Sequence, residues 1–118
     1  MSAGTVTDNR VPVMMLLVAG QAWPGVIDTG FNGDLELPDT LRSAVYARFI
    51  GRISSVLGGG MRGEEDLYLV AFPFDGQIVR AEATFVPGGE ILIGTQLLGQ
   101  YRLEIHFPDR TVLLERVA

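Results

Sequence analysis

The chain contains no cysteine. That excludes disulfide staples, thiolate metal sites and a cysteine nucleophile. Histidine occurs once, so a Ser-His-Asp triad would have to run through His106, and nothing else in the pattern supports one. Basic residues are few, nine against fourteen acidic, for a net charge of −5. No basic stripe forms, which argues against nucleic acid as a partner. Long apolar runs are also missing. The longest, Val11 to Gly20, includes a proline and covers about ten residues, where a bilayer span needs roughly 20. Asp8 and Arg10 precede it, where a secretory signal would carry a basic region. The expectation is a protein with no membrane partner, placed in the cytoplasm.

What is present is a single domain's worth of chain, 118 residues, with 47% hydrophobic residues and a mean hydropathy of +0.28. That is rich for a small soluble monomer. Either the core is unusually apolar or part of the apolar surface is covered by a second copy. Residues 1–9 read as a polar, frayed tail, and residues 10–118 as the folded domain.

Strand signals dominate. Val11 to Ala19 is an apolar run that ends at a Gly20-Gln21 turn, and Ala22 to Ile27 resumes as a strand leading into Asp28-Thr29-Gly30. Leu35-Glu36-Leu37 alternates as a half-buried strand should. Leu41, Val45, Tyr46 and Phe49 fall at helical spacing, which predicts a short helix over Thr40 to Phe49. Ile53 to Leu57 and Leu67 to Phe74 flank the glycine-dense stretch Gly58 to Gly63, expected as a mobile hairpin tip. Asp75-Gly76 between two apolar runs is a strong hairpin signal. Ile91-Leu92-Ile93 reads as a buried strand, Gln96 to Tyr101 as one or two helical turns, and Leu103 to Leu114 as a final hairpin. The pattern predicts an all-β sandwich or barrel with one or two short helices.

Three features stand in fixed order: Val26-Ile27-Asp28-Thr29-Gly30, the glycine-rich hairpin tip some thirty residues on, and Ile91-Leu92-Ile93-Gly94 followed by Thr95-Gln96-Leu97-Leu98. Alone, Asp-Thr-Gly is a weak signal. Together, from about Val11 to Phe107, the three resemble the retropepsin-like aspartic proteases, particularly small bacterial members with a single-domain subunit. The resemblance implies a closed β-barrel or sandwich with a flap hairpin. It makes Asp28 the catalytic aspartate, with Gly58, Gly59 and Gly60 in a flap over a peptide substrate. Ile93 and Gly94 become the strand that supports the active-site turn.

The chemistry such a motif serves needs an activated water and a proton for the leaving amine. Two carboxylates sharing one proton supply both, because close like charges split their apparent pKa values. One Asp-Thr-Gly is half of that pair, so the resemblance implies a homodimer that brings two Asp28 side chains together, with no cofactor and no metal. Thr29 resembles the residue whose hydroxyl bonds across the dimer. Gly30 permits the tight turn. Phe31, expected to touch substrate, stands where the family more often carries alanine or serine. It cannot donate a hydroxyl to an ionised aspartate, so the expected pH optimum is mildly rather than strongly acidic.

Plainer readings stand beside these. Asp28 could be an ordinary turn aspartate, and Gly58 to Gly60 a surface loop. Glu64, Glu65 and Asp66 read as a solvated acidic face, with Ca²⁺ as a lesser reading. Met14 and Met15 read as core filler, and Trp23 as core or interface. The alternative function is a non-catalytic relative of the same fold that dimerises or binds peptides.

Overall fold

The computed structural model describes residues 1–56 and 62–117. Among them, ten strands join in one sheet: β1 (Ser2–Val6), β2 (Pro12–Val18), β3 (Gln21–Ile27), β4 (Leu35–Pro38), β5 (Ala47–Val56), β6 (Arg62–Phe74), β7 (Gln77–Val86), β8 (Ile91–Ile93), β9 (Tyr101–His106) and β10 (Thr111–Arg116). Their order across the sheet is β5-β6-β7-β4-β8-β3-β2-β1-β10-β9. Most neighbours are antiparallel, but β3 runs parallel to β8 and β4 parallel to β7. No helix is long and apolar enough to cross a membrane among the described residues.

Local chemistry explains the tight connections. Asp75 and Gly76, at φ 50° and 79°, close the β6–β7 hairpin as the Asp-Gly pair predicts. Ala19 and Gly20, at φ 51° and 77°, close β2–β3, one residue earlier than the expected Gly20-Gln21 turn. Strand alternation then sorts the side chains. In β8, Ile91 and Ile93 are fully buried while Leu92 between them is half-buried. They meet Leu35 and Leu37 of β4 and Leu114 of β10 in one apolar core. Each such side chain contributes about 1.5–3 kcal/mol on burial.

Three expectations need correction. The tail over residues 1–9 is instead strand β1, which pairs with β10 at Ser2 to Thr5 and with β2 at Thr5 and Val6. Its small side chains hid it, because the bonds that hold it belong to the main chain. The helix over Thr40 to Phe49 shrinks to a 3-10 turn at Asp39–Leu41. Val45 and Leu41 do pack inward, but Tyr46 and Phe49 are exposed, and β5 has begun by Ala47. Gln96 to Tyr101 forms successive turns rather than a helix, bonded from Leu98 N–H to Gly94 and from Tyr101 N–H to Leu98.

The sheet is also open where a closed barrel was expected. Among the described residues no ladder joins the end strands β5 and β9. The core is closed by packing instead, with β2 lying against β6 although the two share no ladder. Register supplies part of the reason. Ile50 is skipped in the β5–β6 ladder between Phe49 and Gly51, the latter at φ 153°, which makes β5 an irregular strand.

Candidate active site

The turn after β3 is tied to the end of β8 along its whole length. Asp28 N–H donates to the Ile93 carbonyl at 3.0 Å, and Gly94 N–H donates to the Asp34 carbonyl at 2.9 Å. Thr95 N–H donates to Phe31 at 2.8 Å, its hydroxyl reaches the same carbonyl at 3.3 Å, and Gln96 N–H donates to Gly33 at 3.1 Å. Segment 28–34 is therefore fixed by main-chain bonds, which a change of side chain does not loosen.

Within that frame the Asp28 carboxylate is half-buried, and its Oδ1 accepts the Gly30 N–H at 2.9 Å. A β-carbon on Gly30 would stand 3.3 Å from that oxygen. The Thr29 side chain is exposed and makes no hydrogen bond among the described residues. Gly94 has no room for a side chain: a β-carbon there would lie 2.0 Å from the Gly33 carbonyl oxygen and 2.7 Å from Cδ2 of Phe31. Ile93 sits fully buried beneath the turn.

Asp28, Thr29, Gly30, Phe31, Ile93 and Gly94 thus come together. Gly58, Gly59 and Gly60 lie outside the described residues, although β5 and β6 stay in register up to Val56 and Arg62 on either side of them.

A cavity of about 430 Å³ opens beside the turn. The Phe31 ring forms one wall, and Ile53 and Leu67 come from the β5–β6 hairpin. Asp34, Glu36, Glu65 and Glu82 line it as well. Asp34 is 8% exposed, and its Oδ2 accepts the Glu82 N–H at 2.8 Å. Burial pushes the Asp34 carboxyl above its ordinary value, against the lowering effect of that hydrogen bond. Burial also raises Glu36, and the charges of Glu65 and Asp28 raise it further. Glu36 therefore lies within electrostatic reach of Asp28.

Sequence reasoning missed these four acids as a group. Glu36 had a signal: it alternates with the buried Leu35 and Leu37, so it had to face away from the core. The acidic run over Glu64 to Asp66 divides by the same rule. Glu64 and Asp66 pair with Arg52 at 3.3 and 3.0 Å, while Glu65 faces the cavity. Among the described residues no group of three or more such side chains could hold a metal ion. A larger hollow of about 650 Å³ lies between the β1–β2 and β9–β10 turns, at Val6, Arg10 and Phe107, and it contains no residue of the Asp28 turn.

No protein-family model matches the sequence, and no curated protein matches it. Solved structures do share its shape. A retropepsin-like aspartic protease from Rickettsia conorii superposes with a TM-score of 0.70 at 11% identity, over 97% of this chain and 89% of that one. The protease of simian foamy virus (mac) gives 0.59 at 20% identity, over 74% and 91%. The EIAV protease, solved with the inhibitor HBY-793, gives 0.62 at 16% identity, over 80% and 91%. The chain has the fold of the retropepsin-like aspartic proteases.

Proposed function

We propose that this chain is an aspartic endopeptidase that works as a homodimer. Two Asp28 carboxylates, one from each copy, hold a water between them across a two-fold axis. One carboxylate takes a proton from the water as it attacks the peptide carbonyl. The other gives a proton to the departing amine. A single Asp28 cannot do both, so pairing is a condition of the chemistry.

The observation that carries this reading is the bonding of the Asp28 turn. The carboxylate is half-buried, steadied by the Gly30 N–H and held on a backbone that Ile93, Gly94, Thr95 and Gln96 fix from below. Such positioning of a reacting group is what catalysis requires. The exposed Thr29 hydroxyl, without a partner among the described residues, suits a bond across the dimer. The β5 and β6 strands suit the arms of a flap, and the peptide would lie extended between flap and floor. Phe31 leaves this reading intact, because its ring lies against Gly33 and Gly94. The reaction needs no cofactor, and the cytoplasm is its proposed setting.

The test compares cleavage of a peptide library by the native protein and by Asp28→Asn, with light scattering on both. The expected result is cleavage by a dimer that the substitution abolishes while the dimer persists. Equal cleavage by both proteins would remove Asp28 from the mechanism. Peptide binding without cleavage by either would favour the non-catalytic module.

A further inference from the structure

We infer that the cavity beside the Asp28 turn is a subsite for a long cationic side chain, arginine or lysine, of a peptide substrate. This deepens the proposed function and rests on its premise that an extended peptide lies along Asp28.

The cavity's volume, about 430 Å³, falls within the range of small-ligand pockets, roughly 300–1,000 Å³. Its acids come from separate parts of the fold: Asp34 from the loop, Glu36 from β4, Glu65 from β6 and Glu82 from β7. Three strands converge to place them, so the charge is gathered around one half-open hollow rather than spread over a surface run. Asp34 is more than nine-tenths buried and keyed to the Glu82 N–H. No arginine lines the cavity among the described residues. Arg52, on the neighbouring strand, is held by Glu64 and Asp66, and with Arg42 it lines an adjoining pocket that Glu65 also borders. The lining therefore holds no positive side chain among the described residues. Burial raises the proton affinities of Asp34 and Glu36, and neighbouring acidic charges add to it, Glu82 at Asp34 and Glu65 and Asp28 at Glu36.

The lining also sorts one cation from another. A metal ion needs several carboxylates at one point, and no such group exists among the described residues. Much of the remaining wall is apolar, with Phe31, Ile53 and Leu67 beside the polar Thr84 and Gln96. An aliphatic stem with a charged head matches that combination, since the stem covers apolar surface while the head reaches the acids. Phe31 N–H bonds to the Asp28 carbonyl at 3.1 Å. The side chain that enters the cavity thus belongs to a residue close to the cleaved bond.

The test reads binding apart from catalysis. Fluorescein-labelled peptide libraries carry arginine or norleucine fixed at one position, with the other positions randomised. Anisotropy measures their affinity for the intact Asp28→Asn protein, and the same libraries are offered to the native protein for cleavage. At one position the arginine library should bind at least about tenfold more tightly, the discrimination expected of one partly enclosed charge contact. That advantage should fall to about twofold when Glu65→Gln or Glu36→Gln is added. Glu65 is half-exposed, so Glu65→Gln spares the core if Glu36→Gln lowers the melting temperature. Equal binding at every position, no binding of either library, or an advantage that survives both substitutions would overturn the subsite. Absence of cleavage with the binding preference intact would refute the endopeptidase and leave the subsite standing.

Discussion

The Phe31 ring occupies the space that a side chain on Gly94 would need: Cδ2 of Phe31 lies 2.7 Å from where the β-carbon would be. The bulk of one residue is possible only because the other has none. A second obstacle lies behind the first, the Gly33 carbonyl oxygen at 2.0 Å, and backbone does not rotate away as a ring can.

Gly94→Ala should therefore lower stability by about 2–4 kcal/mol, read from denaturant midpoints at constant m. Phe31→Ala should fail to rescue it, since the clash with the Gly33 carbonyl remains. Full rescue would mean that the ring alone sets the constraint.

Ile93 and Leu114 are both completely buried, yet only Ile93 stands opposite Ile27, the residue before Asp28, where a void left by its side chain would let the turn shift. Each truncation to alanine should cost about 2–5 kcal/mol. At a temperature where both variants remain folded, Ile93→Ala should lower kcat well below the value for Leu114→Ala. Equal kcat values would show that β8 supports the fold but not the turn.

Removal of residues 1–9 should destabilise the chain and promote aggregation, because it bares the edge of β10 from Thr111 to Leu114. A frayed tail could be removed at no cost. Thermal melting and light scattering of the shortened chain decide between the two.

Asp34 and Glu36 have carboxyl pKa values raised from their ordinary 3.8 and 4.5. A raised value means the folded state holds the proton more tightly than the unfolded state. The stability this adds is complete below the ordinary values and is lost as pH rises through the raised ones. Stability of the native protein should fall over that interval more steeply than that of Asp34→Asn/Glu36→Gln. Parallel curves from melts between about pH 3 and 7 would contradict the assignment.

Phenylalanine at position 31 has no hydroxyl to offer the proposed pair of Asp28 carboxylates. The rate of peptide cleavage should peak in mildly acidic solution. A kcat/KM profile with its maximum near pH 2 would show another group stabilising the ionised carboxylate.

How much was legible in the sequence depended on the kind of bond involved. Asp75-Gly76 announced its hairpin because its left-handed dihedrals restrict the residues that can stand there. The approach of Ile27-Asp28 to Ile93-Gly94 was legible only through the family resemblance, which paired segments some sixty-five residues apart. β1 was not legible, because main-chain ladders leave little trace in side-chain polarity. The false helix arose because Leu41, Val45, Tyr46 and Phe49 satisfied a helical period that Tyr46, almost fully exposed, does not use. The acid-lined cavity was hidden for a third reason. Glu36 stands opposite Thr84 in the β4–β7 ladder, two residues along β7 from Glu82, and strand register cannot be read from either segment alone.

The position of β10 between β1 and β9 of its own chain bears on how two copies could meet. Both flanks of that strand are engaged before any encounter, so the last segment has no vacant side to offer a neighbour. No strand of a second copy is needed to complete the β10 ladders, so the proposed pairing of copies would be a separate, reversible event. Dilution would then switch off any chemistry that depends on two copies while leaving intact subunits ready to reunite.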